Sequence, residues 1–320
     1  MQARFRIGAL IAAMTLFSAV LGATPQIFAP GVVSGPANDA APAFAPDGKT
    51  VYFFRGNGSD YDILVSHLRG ARWSRPIVAP FSGQWRDLEP SMSPDGSYLI
   101  FASTRPTDSG GKPLDGMWNG IDHPGKGGNL WRVNRQGSGW SVPVRLADEI
   151  NFSSAVFSPA VAADGSIYFM AATGEGGKFQ LYSSRLQNGA YQAAKPLAFS
   201  SGKFSDVDPT VAPDQSFMVF SSNRPPESKT LGLFIAYRKD GVWGEPVDLG
   251  PEVNNVGDIM EARLGRDGHS LYYSSNYVLS ATYPKSGAST QKGLRDLETW
   301  NNGLSNIWSI DLTPWLEKPR

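Results

Sequence analysis

Short apolar runs bounded by proline, aspartate and glycine recur along this chain, and their polar borders recur with them. Glu89-Pro-Ser-Met-Ser-Pro-Asp-Gly96 precedes the apolar run Tyr98 to Phe101, and Ala41-Pro-Ala-Phe-Ala-Pro-Asp-Gly48 precedes Val51 to Phe54. The same phrase returns as Ser158 to Gly165 before Ile167 to Met170, as Asp208 to Gln215 before Phe217 to Phe220, and in worn form as Glu261 to Gly268 before Leu271 to Tyr273. Pro-Asp-Gly is turn chemistry: proline presets φ, aspartate bonds its own downstream backbone, and glycine takes positive φ without a Cβ clash. Each phrase therefore predicts a hairpin, and copies roughly 50 residues apart predict a repeat architecture.

Two further strands follow each hairpin. The third strands are expected at Asp62 to Ser66, Asn129 to Val133, Gln180 to Ser184, Leu233 to Tyr237 and Asn306 to Ile310. The fourth, opened by an aromatic residue, are expected at Trp73 to Ile77, Trp140 to Val144, Tyr191 to Leu197 and Trp243 to Val247. The last repeat has no fourth strand of its own. The segment near residues 25 to 29 matches the end of the fourth repeat and supplies what is missing. Closing a ring in this way removes two exposed sheet edges. The fold class predicted is all-β: a five-bladed β-propeller of four-stranded antiparallel blades, closed by an N-terminal strand completing the last blade. A sixth blade would need a repeat that the sequence does not display.

Composition agrees with many short strands: 35 Gly and 24 Pro among 320 residues. With 29 basic and 29 acidic side chains, the chain offers no general attraction for nucleic acid. Residues 1 to about 23, with Arg4 and Arg6 ahead of an apolar run from Ile7 to Leu21, read as a secretory signal peptide. Residues 24 to 320 then form one propeller, exported to the periplasm or beyond. It is expected to be monomeric, with no membrane span after cleavage. There is no cysteine, so no disulfide framework is possible.

Two connections break the spacing, residues 106 to 128 and residues 277 to 304, and both fall between the second and third strands of a blade. They project from one rim, which makes that rim the expected binding face. Ser93-Pro-Asp-Gly96 before an apolar strand, Ser222-Asn-Arg-Pro225 after one, and Trp243 to Asn254 closing a blade resemble the WD40-like repeats of TolB-type bacterial propellers. The resemblance spans the mature chain and implies an envelope interaction module. The third blade departs from it by lacking the turn proline, and the fifth by carrying Arg263 and Gly265 where the others have small or apolar residues.

Candidate chemistry gathers at the channel mouth. The residues just before the inner strands include Glu89, Asp208 and Glu261, with Asp39, Asp87, Asp206 and Asp258 close by. Arg55, Arg105 and Arg224 leave the second strands where they could neutralise these acids. Three readings stay open. The acids and arginines form a structural brace repeated between blades, or the acids hold a Ca²⁺ or Mg²⁺ ion, or they are glycosidase carboxylates. A glycosidase needs a pair about 5 Å apart for retention or about 6.5 to 9.5 Å for inversion. Glu89, Asp208 and Glu261 are the candidates for that chemistry, with Trp85, Trp118 and Trp300 as stacking platforms for sugar rings. His123, beside Asp122 in an inserted loop, is the one histidine placed for a role. The leading expectation is a binding or scaffold module without catalysis or cofactor, taking a protein or an envelope glycan on the loop-bearing rim. The alternative is a five-bladed glycoside hydrolase.

Overall fold

The apolar runs after each Asp turn fold as expected into strands, largely buried on both faces between neighbouring blades, and five such sheets close a ring. The computed structural model describes residues 24–107, 111–173, 177–226, 230–254 and 257–317; the leader expected over residues 1 to 23 lies outside the described residues. The first strands of blades 1 to 5 are Asn38–Phe44, Asp87–Met92, Val156–Val161, Asp206–Val211 and Ile259–Leu264. Each lies against the first strands of both neighbouring blades, so together they wall the central channel. The second strands are Thr50–Gly56, Tyr98–Ser103, Ile167–Ala171, Phe217–Ser222 and Ser270–Ser275. The third are Tyr61–Arg69, Asn129–Gln136, Gln180–Ser184, Gly232–Lys239 and Asn306–Asp311.

The ring is shut where the sequence places the closure. Gln26–Ile27 pairs antiparallel with the third strand of blade 5, Gln26 opposite Ser309 and Ile27 opposite Trp308, and the Phe28 amide continues the ladder to the Ile307 carbonyl at 2.8 Å. The fourth strands differ from expectation. Each is broken in two, as in Arg72–Trp73 and Ile77–Val78, or Gly139–Trp140 and Val144–Arg145. Pro76, Pro143 and Pro246 fall in three of these breaks, where a residue without an N–H cannot continue the ladder. Serine compensates. The Ser74 and Ser141 hydroxyls accept from the His67 and Asn134 amides, each at 3.0 Å, as a strand carbonyl would.

The repeated aromatics join one blade to the next. Tyr52 of blade 1 meets Trp140 of blade 2 edge to face at 5.8 Å, with the indole N–H donating to the Tyr52 hydroxyl at 3.0 Å. Tyr168 of blade 3 meets Trp243 of blade 4 at the same 5.8 Å. Phe44 links Trp73 of blade 1 to Tyr272 of blade 5. Such pairs add about 0.5–1.5 kcal/mol beyond the area they bury. At the Asp turn of blade 4, Gln215 stands where the other turns have glycine, at φ 61°. Its side chain offsets the strain by accepting from Tyr168 at 2.7 Å and donating to Asp164 at 2.8 Å, both in blade 3.

Both long insertions leave the rim opposite the Asp turns. Within residues 106 to 128, Gly116–Trp118 and Ile121–His123 form a small hairpin. Residues 277 to 304 hold a helix, Gly287–Thr299, that the turn-rich reading of the sequence did not anticipate. Ser286 caps it through a reciprocal pair of hydrogen bonds with Ser289. No helix among the described residues is long and apolar enough to cross a membrane.

Candidate functional site

Each first strand carries one non-glycine residue at positive φ: Ala41 (51°), Glu89 (56°), Ser158 (49°), Asp208 (54°) and Glu261 (59°). All five sit at the same β-bulge, where the pairing with the second strand skips two residues. In four blades the next residue is proline, so the unpaired position leaves no orphan N–H. Because all five blades share the bulge, it belongs to the architecture, and what distinguishes this ring is the choice of residues at it. The three acids therefore lie inside the first strands at a bulge, rather than just before them as the sequence suggested.

The ring brings three carboxyl groups together. Glu89 and Asp208 are each 3% exposed and Glu261 is 7% exposed, and oxygens from all three lie within 4.8 Å of one another. The Ser158 amide donates to Glu89 Oε2 at 2.7 Å, and the Glu261 amide donates to Asp208 Oδ2 at 3.1 Å. One cation meets them. Arg263, at the far end of the fifth bulge, donates from Nη2 to Glu261 Oε2 at 3.2 Å and to Ser158 Oγ at 3.1 Å. One guanidinium for three buried carboxyls leaves negative charge uncompensated, so protons stay on. Burial first, and then Asp208, push the Glu89 carboxyl up from 4.5 to about 7. Burial, Asp208 and Glu89 hold Glu261 well above its usual range, and burial raises Asp208. The same oxygens could hold a hard cation through three carboxylates, in competition with the Arg263 guanidinium already among them.

The neutralising role expected of Arg55, Arg105 and Arg224 is found at three of the candidate acids and does not extend to Glu89, Asp208 or Glu261. They pair with the buried Asp39, Asp87 and Asp206, two residues upstream of the bulge. Arg55 Nε donates to Asp39 Oδ1 at 2.6 Å, Arg224 Nη2 donates to Asp206 Oδ1 at 2.7 Å, and Arg105 Nη1 donates to Asp87 Oδ1. The three arginines are not equivalent either. Arg55 lies directly across the ladder from Asp39, whereas the residues opposite Asp87 and Asp206 are Ser103 and Ser222, and Arg105 and Arg224 fold back from two positions further on. Two of these braces also hold the chain entering their blade: Arg55 donates to the Val32 and Val33 carbonyls, and Arg105 to the Phe81 carbonyl. Asp258 has no such place. The buried Ile259 occupies the brace position of blade 5, and Asp258 is exposed and bonded to Asn276.

A cavity of about 280 Å³ opens above the acid ring, between blades 1, 2 and 5, with Glu89 and Glu261 in its floor and Arg86, Tyr61 and Phe54 in its walls. Asp208 does not line it. Below the ring a smaller space of about 90 Å³ opens toward the Asp turns and includes Arg263. The acid layer thus divides the channel, and the upper space is at the small end for ligand pockets.

The tryptophans separate by position. Trp85 is half-buried in a cleft beside Arg86, Asp60 and Asp62. Trp118 is half-buried with one face covered by the His123 ring, parallel to it at 3.7 Å, and its edges meet Phe157 and Phe179. Trp300, expected on the rim, is 5% exposed and packs edge to face on Trp308 at 6.3 Å, because the helix before it folds the chain back into blade 5. Among the residues that matter at the ring, the sequence pointed to Arg263 only as a departure from the repeat. Its counterparts at the end of the bulge are Ala43, Ser91, Ala160 and Thr210. Nothing in the local pattern singled out Arg86 or Tyr61.

The protein is a five-bladed β-propeller with a charged, partly occluded axial channel. No protein-family model matches the chain, and no curated protein matches it. Among solved structures, the TolB-type likeness implied by the repeats is found. A putative TolB from Agrobacterium tumefaciens is 15% identical over 79% of this chain and 78% of its own, with a TM-score of 0.48. TolB from Acinetobacter baumannii is 14% identical over 91% of this chain and 63% of its own, with a TM-score of 0.47. A Hadza microbial sialidase is similar at 14% identity over 74% and 53%, with a TM-score of 0.46. At these identities the likeness concerns the fold.

Proposed function

We propose that this chain is an exported, non-catalytic propeller that holds a protein partner on the rim bearing the 116–123 hairpin and the 287–299 helix. One observation carries the reading: the helix has no buried residue, and Leu294 and Leu297 stand 56% and 54% exposed. Val278, Leu279 and Tyr283, from the same insertion, are also exposed. A thirteen-residue helix that buries nothing has little to hold it in isolation, and leucines three residues apart on one face are what a helix presents to an apolar groove. Aliphatic side chains offer nothing to the hydroxyls of a glycan, so the surface chemistry favours a protein over a sugar. Export is supported by the Arg4 and Arg6 leader pattern ahead of an apolar run.

The test is a photo-crosslinking side chain at position 294, used in envelope extract of the producing cells. A single adduct is expected, identified by mass, lost in Leu297→Asp, and reproduced with the purified partner. Leu297→Asp should change folding stability by no more than about 0.5 kcal/mol, as an exposed substitution does. No adduct, an adduct indifferent to Leu297→Asp, or one with the mass of two copies of this chain would overturn the proposal.

A further inference from the structure

The cavity above the acid ring is lined by groups of both signs whose hydrogen-bonding capacity is not filled within the protein: Arg86, which attracts Glu89 through space without a bond to it, and the crowded acids of the ring. On one wall, the Arg86 guanidinium lies over the Tyr61 ring at 4.8 Å, and Tyr61 is held edge to face by Phe54 at 5.1 Å. This contact with the ring face uses none of the guanidinium N–H groups. The buried Nε of Arg86 has no hydrogen-bond partner, and no carboxylate lies within ion-pair distance of the group among the described residues. In the floor, Glu89 and Glu261 belong to a trio of carboxyls served by a single arginine. Other polar groups on the walls are already engaged. The Asn38 side chain accepts from the Ser305 amide at 3.0 Å, and the Ser274 hydroxyl donates to the Met260 carbonyl at 3.1 Å. The remaining lining is apolar: Ala40, Phe54, Leu88 and Met260.

From this arrangement we infer that the cavity binds a small zwitterion, a neutral apolar α-amino acid, with its carboxylate on Arg86, its ammonium on Glu89 and Glu261, and its side chain against Phe54, Leu88 and Met260. Each alternative of one sign leaves a cost. A lone anion would satisfy Arg86 but face the acid ring, and a lone cation would satisfy the ring but leave Arg86 as a half-buried, unpaired charge. A ligand with both charges removes both costs in one step. A volume of about 280 Å³ admits such a molecule. The aromatic and aliphatic walls select an apolar side chain, since a polar one would enter them without a partner. This site lies in the channel and is separate from the helix that carries the docking proposal.

Isothermal titration with L-leucine tests the inference against two truncations of the same molecule, 3-methylbutylamine, which lacks the carboxylate, and 4-methylpentanoate, which lacks the amine. Leucine is expected to bind at millimolar concentration or below, and each truncated probe about tenfold or more weaker, because each strands one buried charge. Arg86→Met should reduce leucine to the affinity of the amine, and Glu89→Gln should reduce it toward that of the acid. Arg86 is half-buried, so its variant remains informative if the Glu89 variant fails to fold. Absence of leucine binding, or equal binding of either truncated probe, overturns the proposal. Leu297→Asp should bind leucine as the parent does, which separates failure here from failure of the docking surface.

Discussion

Two sets of buried acids line the first strands and differ in how they are partnered, although burial raises Asp39 to about 6 and raises Asp87 in one set as it raises the axial acids in the other. At the braces, Asp39, Asp87 and Asp206 each have their own arginine and further donors, such as the Ser82 and Ser103 hydroxyls on Asp87. At the axis, Glu89, Asp208 and Glu261 share Arg263. Residue type is nearly the same in both sets; the ratio of acid to base is not. A matched buried pair holds structure in place, and losing one member leaves an uncompensated charge. An unmatched cluster must hold protons, a cation or a ligand, and is open to all three. The braces therefore act as scaffold and the axial ring is the place where chemistry can enter, although blades 2 and 4 carry one acid of each kind in the same strand.

That contrast can be broken most sharply at a brace. Arg105→Met should destabilise the fold by about 3–5 kcal/mol by stranding Asp87, measured by denaturant unfolding. Adding Asp87→Asn should restore at least half of the loss; an unrestored double variant would mean that Arg105 acts through packing on Phe101 and not through charge.

The next largest effect is expected at the axial arginine. Arg263→Met should destabilise more at pH 8 than at pH 5, since protonation can relieve three crowded carboxyls only in acid. Millimolar Ca²⁺ should raise its melting midpoint while leaving the parent nearly unchanged, because Arg263 already supplies the internal cation. Equal calcium responses would show that Arg263 does not occupy the place of an ion.

The smallest effect, and the most telling, has the opposite sign. The folded state keeps a proton on Glu89 up to about pH 7, whereas the unfolded chain gives it up near 4.5. Stability should therefore fall as pH rises between those values and stay lower above them. Glu89→Gln keeps an acceptor for the Ser158 amide and removes the charge. It should flatten the profile from pH 5 to 8 and add about 1–3 kcal/mol at pH 8. A variant less stable than the parent at pH 8 would place Glu89 among the matched acids and erase the distinction.

How much of this was legible in the sequence depends on how far apart the interacting residues are. Turns are local: Asp95 bonds the Ser97 amide two residues on, so Pro-Asp-Gly could be read directly. The strand that closes the ring was legible because it copies another repeat, even though Gln26 pairs with Ser309. Helix Gly287–Thr299 was not legible, since it has no buried face to impose a periodic pattern.

The sequence by itself determined the number of blades, the order of strands and the side of the ring on which the insertions emerge, because each of these follows from turn chemistry and short apolar runs repeated within a few dozen residues. Only the tertiary structure decided which acid meets which base. Arg263 reaches the Ser158 hydroxyl across 105 positions of sequence, and the bulge that turns Glu89 toward the axis leaves Asp87, two residues before it, with Arg105. Charge pairing depends on direction as well as proximity, and direction is set when the blades close around the axis.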